Sequence, residues 1–365
     1  MKTAVRLLFY ISGFGFGHMT RSIALIEGLL EQEQDLEITI KCNPAHRSFV
    51  AGYLQRYSPR ITIEPFSSGF SIVFNEEKWE IDILGTVQGV EDWIGELAQV
   101  VEQEVTQVSK KYDLVISDIV PEAFAVARRL KIPSIGISNF TWYEICRGFV
   151  SEEKLQPLRA LYEQAEVLFE YGLSTENELP MEKRIPVGLV SRPMDAEKIS
   201  VIQKKYKKQD RLLLFLSIGG ALTLNHISLC PDVDYLCTQG ITLPPLPNVY
   251  KIPPDTLDTQ NYLAACDGVI TKCGWSTVTE SLIAQKPLYI LKSKNGWVEE
   301  KYILAALRKL GVVREIEAHE LMDISCTLFL EGVKNKEKYN IYPDFYQNNR
   351  DKLVEMVMDY IIDKV

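Results

Sequence analysis

Several kinds of feature are missing from this sequence, and their absence excludes several classes of protein. Its seven cysteines form no C-x-x-C pair and have no histidine at metal-ligand spacing, which argues against a zinc site and against a disulfide framework. No stretch approaches the roughly 18 apolar residues of a membrane span. No G-K-[ST] follows a predicted strand, so a P-loop is excluded. Lys and Arg form no cluster, and the net charge of −9 argues against a nucleic-acid partner.

The composition is that of a globular protein with room for two domains. The chain has 365 residues, of which 46% are hydrophobic and 24% are charged. The stretch 1–17 has a weak likeness to a signal peptide, but Arg6 interrupts its apolar run and no small-residue cleavage site follows. We therefore expect reduced thiols and a cytoplasmic location. No transmembrane segment is predicted, while peripheral membrane contact is left open.

Apolar strands alternate with helical patterns along the chain, which predicts a parallel, doubly wound α/β sheet. A second series starts with the apolar stretch at 212–217, which leads into another glycine-rich turn at Gly219 and Gly220. That turn offers backbone N–H groups to a diphosphate, or it is a plain tight turn. Strands are predicted at 5–11, 37–41, 61–65, 114–117, 134–138, 212–217, 248–251, 268–271 and 288–291, with helices around 45–55, 86–111, 122–130, 151–169, 195–206 and 350–364.

The first predicted strand ends in a glycine-rich turn, after which a helix is expected from Met19 or Thr20. Gly15 and Gly17 let the backbone approach a ligand closely. A dinucleotide-binding G-x-G-x-x-G is rejected, because its third glycine would fall at His18 and no acidic residue ends the second strand. His18 is expected at the mouth of the first βα loop, where ligands collect in open parallel sheets. The alternative is a loop histidine bonded to a backbone carbonyl.

Asp118 ends another strand of the same predicted sheet, so its side chain and that of His18 should both project at the carboxyl edge. A carboxylate bonded to one imidazole nitrogen fixes the tautomer and leaves the other nitrogen to take a proton from an acceptor hydroxyl. His18 and Asp118 are therefore a candidate catalytic pair. In the alternative interpretation, Asp118 caps the helix that follows Pro121.

A second candidate site is the strand–turn–helix segment from Gly268 to Glu280. A helix that begins at Ser276 or Thr277 after Gly274 presents free N–H groups, hydroxyls and its positive dipole end, which suits a phosphate group with Lys272 beside it. Glu280, one turn further along, is placed to accept hydrogen bonds from a neighbouring ribose. In the alternative interpretation this is an ordinary turn in which Ser and Thr cap the helix and Glu280 is solvated.

Two further stretches carry weaker signals. The segment 139–146 is predicted to line an acceptor pocket, with Trp142 stacking on a sugar and Glu144 binding hydroxyls, although a buried aromatic cluster fits the same residues. The D-x-D at Asp232 and Asp234 is discounted as a metal site, because a lone D-x-D is frequent by chance. No metal is therefore predicted.

The stretch Lys272-Cys273-Gly274-Trp275-Ser276-Thr277-x-x-Glu280 resembles the donor signature His-Cys-Gly-Trp-Asn-Ser-x-x-Glu of UDP-dependent glycosyltransferases with the GT-B fold. Lys272 stands where that family has a phosphate-contacting His, while Trp275 and Glu280 match outright. That family also has a base His after the first strand and a helper Asp far downstream, and here Asp118 follows His18 by 100 residues.

The resemblance implies a GT-B fold, in which two Rossmann-like doubly wound parallel-sheet domains face a central cleft. Residues 1–192, with a helix at 345–365 packing back on them, would form the acceptor-side domain, and residues 193–344 the donor-binding domain. It also implies that Ile252 lies where the family stacks its base, and that Glu299 or Glu300 contacts the transferred sugar. A UDP-linked sugar would be the donor substrate, and no cofactor is expected.

A narrower resemblance concerns the N-terminal half. The stretches 15–21, 117–123 and 139–142 resemble the glycosyltransferase-like domain of arabinokinases. The resemblances together imply inverting, metal-independent transfer of a sugar to an unidentified acceptor hydroxyl. The alternatives are a non-catalytic nucleotide-sugar sensor or scaffold, or a nucleotide-sugar epimerase on the same fold.

Overall fold

A computed structural model describes residues 4–70, 72–75, 80–108, 111–175, 184–218, 224–225, 229–239, 241–242, 245–292, 298–317, 320 and 343–364. The chain divides into two compact units. Residues 1–188 and 349–365 form the first, and residues 189–348 form the second. The sequence-based borders were 192 and 345.

The first unit is built on a sheet of seven parallel strands. Their spatial order is β3-β2-β1-β6-β7-β8-β9, and a separate antiparallel pair joins β4 and β5. The strands are nearly continuous apolar runs because helices cover both faces of such a sheet. The strands are β1 Val5–Ile11, β2 Leu36–Cys42, β3 Ile61–Pro65, β4 Phe74–Asn75, β5 Glu80–Ile81, β6 Leu114–Asp118, β7 Ser134–Ser138, β8 Val167–Tyr171 and β9 Arg184–Gly188.

Helices connect these strands, and the C-terminal helix Arg350–Lys364 returns to the same unit. Short 3-10 turns occur at Pro44–His46 and Gln55–Arg60. The helices are α1 Gly15–Gln32, α2 Arg47–Tyr53, α3 Ile83–Gln107, α4 Glu122–Leu130, α5 Trp142–Cys146 and α6 Glu152–Tyr162.

The second unit repeats the architecture with six parallel strands in the order β14-β12-β10-β15-β16-β17, and β11 pairs separately with β13. A 3-10 turn at Pro343–Tyr346 precedes the return to the first unit. The strands are β10 Leu212–Ser217, β11 Leu224–Asn225, β12 Val233–Cys237, β13 Ile241–Thr242, β14 Val249–Lys251, β15 Gly268–Thr271, β16 Leu288–Leu291 and β17 Val313–Ile316, and the helices are α7 Ala196–Tyr206, α8 Thr259–Ala265, α9 Trp275–Ile283 and α10 Val298–Leu310.

Each sheet has a topological switch point beside its first strand, where successive strands stop being added on one side of that strand and continue on the other side. In the first unit β1 lies between β2 and β6, and Ile11 pairs with Asp118 at its carboxyl end. In the second unit β10 lies between β12 and β15, and Ser217 pairs with Thr271. Ligands of open α/β sheets bind outside the carboxyl ends of strands at such points. Both candidate sites therefore lie where this fold class binds ligands.

The predicted parallel α/β architecture is confirmed, but some boundaries were wrong. The helix predicted over 151–169 is two elements, α6 and β8, because the turn at Glu163–Ala165 separates a helical pattern from an apolar strand. Helix α1 starts at Gly15, earlier than the predicted Met19 or Thr20. Glycines fit there because the first turn of a helix has no intrahelical N–H bonds to lose.

Candidate functional site

His18 lies in the first turn of α1, so it is a helical residue and not the loop residue that the glycine run predicted. Gly15, the first residue of α1, has φ +68°, a conformation that favours glycine. The carbonyl oxygen of Gly17 accepts a hydrogen bond from Thr20 Oγ1 at 3.1 Å. The glycine turn therefore sets where the helix begins and brings His18 to the carboxyl edge of the sheet.

The structure brings His18 and Asp118 into contact. Nδ1 of His18 lies 3.0 Å from Oδ1 of Asp118, and both side chains are buried. Helix α4 has Pro121 at its N-cap position with no side-chain capping bond, so Asp118 does not cap it. Asp118 is followed by Ile119, a β-branched residue with φ +63°, which marks a strained turn directly after the strand.

Sequence reasoning missed Arg21, which is the main partner of Asp118. Its Nε donates to Oδ2 at 2.8 Å and its Nη2 donates to Oδ1 at 2.5 Å, a bidentate pair between fully buried groups. Ser22 Oγ donates to Oδ2 at 2.8 Å, and Arg21 Nη1 donates to Asn139 Oδ1 at 2.6 Å. The guanidinium also lies 5.3 Å from the ring centre of Tyr171. The only signal in the sequence was an Arg three residues after a His on one helix face.

Burial and Arg21 together set the ionisation of the pair. Burial lowers the pKa of His18, and the charge of Arg21 lowers it further, against the opposing effect of Asp118. Burial acts to raise the pKa of Asp118, but the charges and hydrogen bonds of Arg21 and His18 outweigh it, so that pKa is lowered. The arrangement at neutral pH is a neutral imidazole beside an ionised carboxylate that is already paired.

Aromatic rings surround His18. The ring of Phe140 lies 5.7 Å from the imidazole and that of Trp142 lies 6.1 Å away, and Trp142 also packs edge-on against Phe14 and Phe70. Trp142 is buried within this group. The structure therefore shows the aromatic cluster that was the alternative to an acceptor pocket, although one of its members borders the candidate base.

Glu144 is also committed to internal contacts. It forms a capping box with Thr141, whose backbone N–H donates to Oε2 at 2.7 Å, and Thr175 Oγ1 donates to the same oxygen at 3.0 Å. Burial raises the pKa of Glu144 to about 7. Its Oε1 is buried without a hydrogen-bond partner among the described residues. Glu144 therefore stabilises the start of α5.

The signature segment forms the predicted strand–turn–helix corner. Helix α9 begins at Trp275 with Gly274 as its N-cap and no side-chain capping bond, so Ser276 and Thr277 belong to its first turn and do not cap it. A Cβ at Gly274 would meet only Lys272 Cε, at 3.8 Å. Packing within the described chain therefore leaves open space at this glycine, as close approach by a ligand requires.

Glu280 is buried and bonded, not solvated. Its Oε1 accepts from Arg192 Nη2 at 3.0 Å. Arg192 is itself buried and donates to Leu257 O at 2.5 Å and to Thr259 Oγ1 at 3.3 Å. Sequence reasoning assigned no role to Arg192 and missed this ion pair.

Lys272 faces the acidic start of α10. Burial lowers its pKa, while the charges of Glu299 and Glu300 act in the opposite direction. Glu299 and Glu300 stand in the first turn of α10, and Sγ of Cys273 contacts the carbonyl oxygen of Glu300 at 3.7 Å. The structure therefore brings these two glutamates to the same corner as Lys272.

The remaining predicted residues are Ile252, the glycines of the second glycine-rich turn, and the D-x-D. The amide of Ile252 donates to Cys237 O at 2.9 Å, so only its carbonyl oxygen remains for a base. Gly219 and Gly220 lie outside the described residues. In the D-x-D, the carboxylate of Asp234 is buried and paired with Arg211 at 2.9 Å and with Lys208 at 3.3 Å, which is a structural role.

In the part of the chain that the structure describes, no group of three or more His, Cys, Asp or Glu side chains is arranged to hold a metal ion. No helix among those residues is long and apolar enough to cross a membrane. Six cysteines are described, and all are buried free thiols.

Residues 5–160 match the family model for glycosyl transferase family 1. The L-arabinokinase of Arabidopsis thaliana is 26% identical to this chain over 338 residues, which are 88% of this chain. The chain spans only 31% of the length of that curated relative.

Solved structures share the fold over nearly the whole chain. UGT89C1 of Arabidopsis thaliana, complexed with UDP, superposes with a TM-score of 0.63 at 14% identity, covering 98% of this chain and 95% of that one. UGT2 of Phytolacca americana, complexed with UDP-2fluoro-glucose and pterostilbene, gives 0.63 at 15% identity, covering 98% and 100%. The predicted GT-B fold with two Rossmann-like domains is therefore confirmed, as is the resemblance to GT-B glycosyltransferases and arabinokinase.

Proposed function

We propose that this chain is a glycosyltransferase, which its family match and its fold support, and that it transfers a sugar from a UDP-linked donor to an acceptor hydroxyl by an inverting, metal-independent route. The observation that carries the proposal is the 3.0 Å contact between His18 Nδ1 and Asp118 Oδ1 at a switch point. Ligands of proteins with a similar fold add support, since the solved structures that resemble this chain include complexes with UDP and with UDP-L-rhamnose.

In the proposed reaction His18 acts as the general base. Asp118 holds the proton of His18 on Nδ1, which leaves the Nε2 lone pair to accept the proton of the acceptor hydroxyl. The acceptor oxygen then forms a bond to the anomeric carbon as the bond from that carbon to the diphosphate oxygen breaks. The departing electron pair stays on the diphosphate. Attack opposite the leaving group inverts the configuration of the sugar.

The corner at the start of α9 would hold the donor. Lys272, Gly274, Ser276 and Thr277 would contact the diphosphate and offset the charge that develops on it, which replaces the role that a metal plays elsewhere. Glu280 would bind the ribose, and Glu299 or Glu300 would bind the transferred sugar. These assignments follow the signature, with Ser276 and Thr277 in the first turn of α9, Glu280 further along that helix, and both candidate sugar-binding glutamates in the first turn of α10.

The first test separates catalysis from binding. We expect His18→Ala to abolish transfer while UDP binds with near wild-type affinity, because His18 contributes only to proton removal. The measurement is release of UDP from a panel of nucleotide sugars with candidate acceptors, together with UDP titration by calorimetry. Transfer by the variant at the wild-type rate would remove the His18–Asp118 pair from the mechanism.

The same panel distinguishes the other functions that the fold permits. UDP-sugar binding without transfer to any acceptor or to water would indicate a sensor or scaffold. Release of free UDP with an altered sugar and no acceptor would indicate an epimerase.

A further inference from the structure

We propose that Arg21 is a positioning residue for the His18 base, holding the imidazole neutral by pairing with Asp118 and by placing its positive charge beside Nδ1. This role rests on the proposed function, in which His18 removes a proton. Arg21 lies within the arabinokinase-like stretch 15–21, but neither that resemblance nor the match of the signature residues assigns it a role.

The first observation is that Arg21 binds Asp118 more completely than His18 does. The guanidinium donates one hydrogen bond to each carboxylate oxygen, at 2.8 Å and 2.5 Å, whereas His18 approaches only Oδ1, at 3.0 Å. The two charges are enclosed together, with side-chain exposures of 2% for Arg21 and 0% for Asp118. An ion pair in such surroundings is scarcely screened by solvent. The positive charge of Arg21 therefore offsets much of the electrostatic attraction that Asp118 would exert on a protonated His18.

The second observation is that Nδ1 of His18 has two competing partners. Nη2 of Arg21 lies 2.7 Å from Nδ1, closer than the Asp118 oxygen. A guanidinium only donates and a carboxylate only accepts, while Nδ1 carries either a proton or a lone pair. With the proton, Nδ1 donates to Asp118 and Nε2 is a free base. Without it, Nδ1 accepts from Arg21 and Nε2 carries the proton.

Both neutral tautomers therefore find a partner, but the doubly protonated ring does not fit as well. An imidazolium would point its Nδ1–H at Oδ1 while holding a positive charge within 2.7 Å of a guanidinium nitrogen. Like charges at that separation in a buried site oppose each other strongly. Arg21 thus keeps His18 neutral down to a lower pH than a His–Asp pair alone would allow, and the tautomer with its proton on Nδ1 is the one whose Nε2 accepts a proton.

The other groups around His18 reinforce this balance. His46, from the 3-10 turn after β2, lowers the pKa of His18 further, and the rings of Phe140 and Trp142 add burial without charge. Asp118 from β6 is the one group that raises it. Ser22 and Asn139 hold the carboxylate and the guanidinium in place through bonds of 2.8 Å and 2.6 Å. Arg21 therefore contacts Asp118 at the end of β6, Asn139 directly after β7 and Tyr171 in β8, and it has little freedom to leave.

The test measures the ionisation of His18 directly, in protein without substrate. The chain has four histidines, so ¹⁵N and ¹³C imidazole signals are resolvable, and the His18→Ala spectrum assigns them. We expect His18 of the wild type to titrate below 6.5, the ordinary value for histidine. In Arg21→Gln, which keeps a donor but removes the charge, we expect the midpoint to rise by about one pH unit or more. Arg21→Lys should restore most of the wild-type value.

A matched control is Arg56→Gln. Arg56 pairs with Glu27 and Glu31 further along α1 and is half exposed, so its loss should leave the titration of His18 unchanged. In transfer assays, the acid limb of kcat/KM should move to higher pH in Arg21→Gln by the same amount as the NMR midpoint.

Two results would overturn the inference. One is a wild-type His18 that titrates at or above 6.5, which needs no variant and so holds even if Arg21→Gln does not fold. The other is an unchanged His18 midpoint in folded Arg21→Gln. Failure of the proposed function gives a different pattern, because the wild type would then show no transfer, or His18→Ala would retain it, while the His18 titration still followed Arg21.

Discussion

At the scale of single residues, the two candidate sites are each built around a buried carboxylate that an arginine holds. Asp118 is held by Arg21, and Glu280 by Arg192. A carboxylate buried without such a partner would be protonated or would destabilise the fold. For Glu280 the pairing involves Oε1 alone, so Oε2 makes no hydrogen bond to the described residues and is the oxygen that would receive a ribose hydroxyl.

The role of Glu280 gives a prediction at this scale. Glu280→Ala should weaken UDP binding by ~1–3 kcal/mol, the usual cost of a lost hydrogen bond to a charged group. Isothermal titration of UDP measures it. Glu197→Ala is the matched control, because Glu197 belongs to the same unit and is exposed in the first turn of α7. An unaltered Kd in folded Glu280→Ala would refute the ribose assignment.

At the scale of elements, the contact between α1 and the C-terminal helix depends on a glycine. A Cβ at Gly28 of α1 would lie 2.5 Å from Val354 Cγ2 and 3.2 Å from the Arg350 guanidinium. Arg350 Nε donates to the carbonyl oxygen of Ala24 at 3.0 Å, and its Nη2 pairs with Glu31. Gly28 therefore allows the helices to approach closely enough for Arg350 to reach the backbone of α1.

We expect Gly28→Ala to lower the free energy of unfolding by ~1–3 kcal/mol, because the added methyl group forces the C-terminal helix away. The same substitution at Gly95, an exposed position of α3 with no atom within 4 Å of a built Cβ, should instead stabilise by roughly 0.5–1 kcal/mol. Urea unfolding of the two variants measures both effects. An equal change in the free energy of unfolding in the two variants would mean that the close contact between α1 and the C-terminal helix does not constrain the first unit.

At the scale of the whole molecule, the proposed function requires the chain to bind a nucleotide sugar without a metal ion. A ligand that binds only the native state stabilises it by mass action, by about 2.7 kcal/mol at a concentration 100 times Kd. UDP should therefore raise the Tm of the intact chain.

This shift should be unchanged in EDTA, and sugar transfer should also persist there, because Lys272 and the start of α9 would carry the diphosphate charge. Uridine is the control ligand, and it should shift the Tm much less because it lacks the diphosphate. Loss of transfer in EDTA that Mg²⁺ or Mn²⁺ restores would show that the diphosphate requires a metal.

The sequence by itself determined what depends on local pattern. Apolar runs, turn residues and helical periodicity placed most strands and helices, for example β10 at Leu212–Ser217 and α4 at Glu122–Leu130, since each signal lies within a few residues. The position of His18 shortly after the first strand and of Asp118 at the end of another strand was enough to predict that they meet, because carboxyl ends of parallel strands share one edge.

Only the tertiary structure decided how the buried charges are paired. Arg21 lies 97 residues from Asp118, and Arg192 lies 88 residues from Glu280, so no local pattern connects them. Their contacts require the full set of strands to be assembled and the side chains to be enclosed, since a charge demands a partner only once water is excluded. The tertiary structure also decided the roles of Glu144 and Trp142. Because α5 is packed against its neighbours, both side chains are excluded from water, so that Glu144 caps the helix and Trp142 belongs to a buried aromatic cluster.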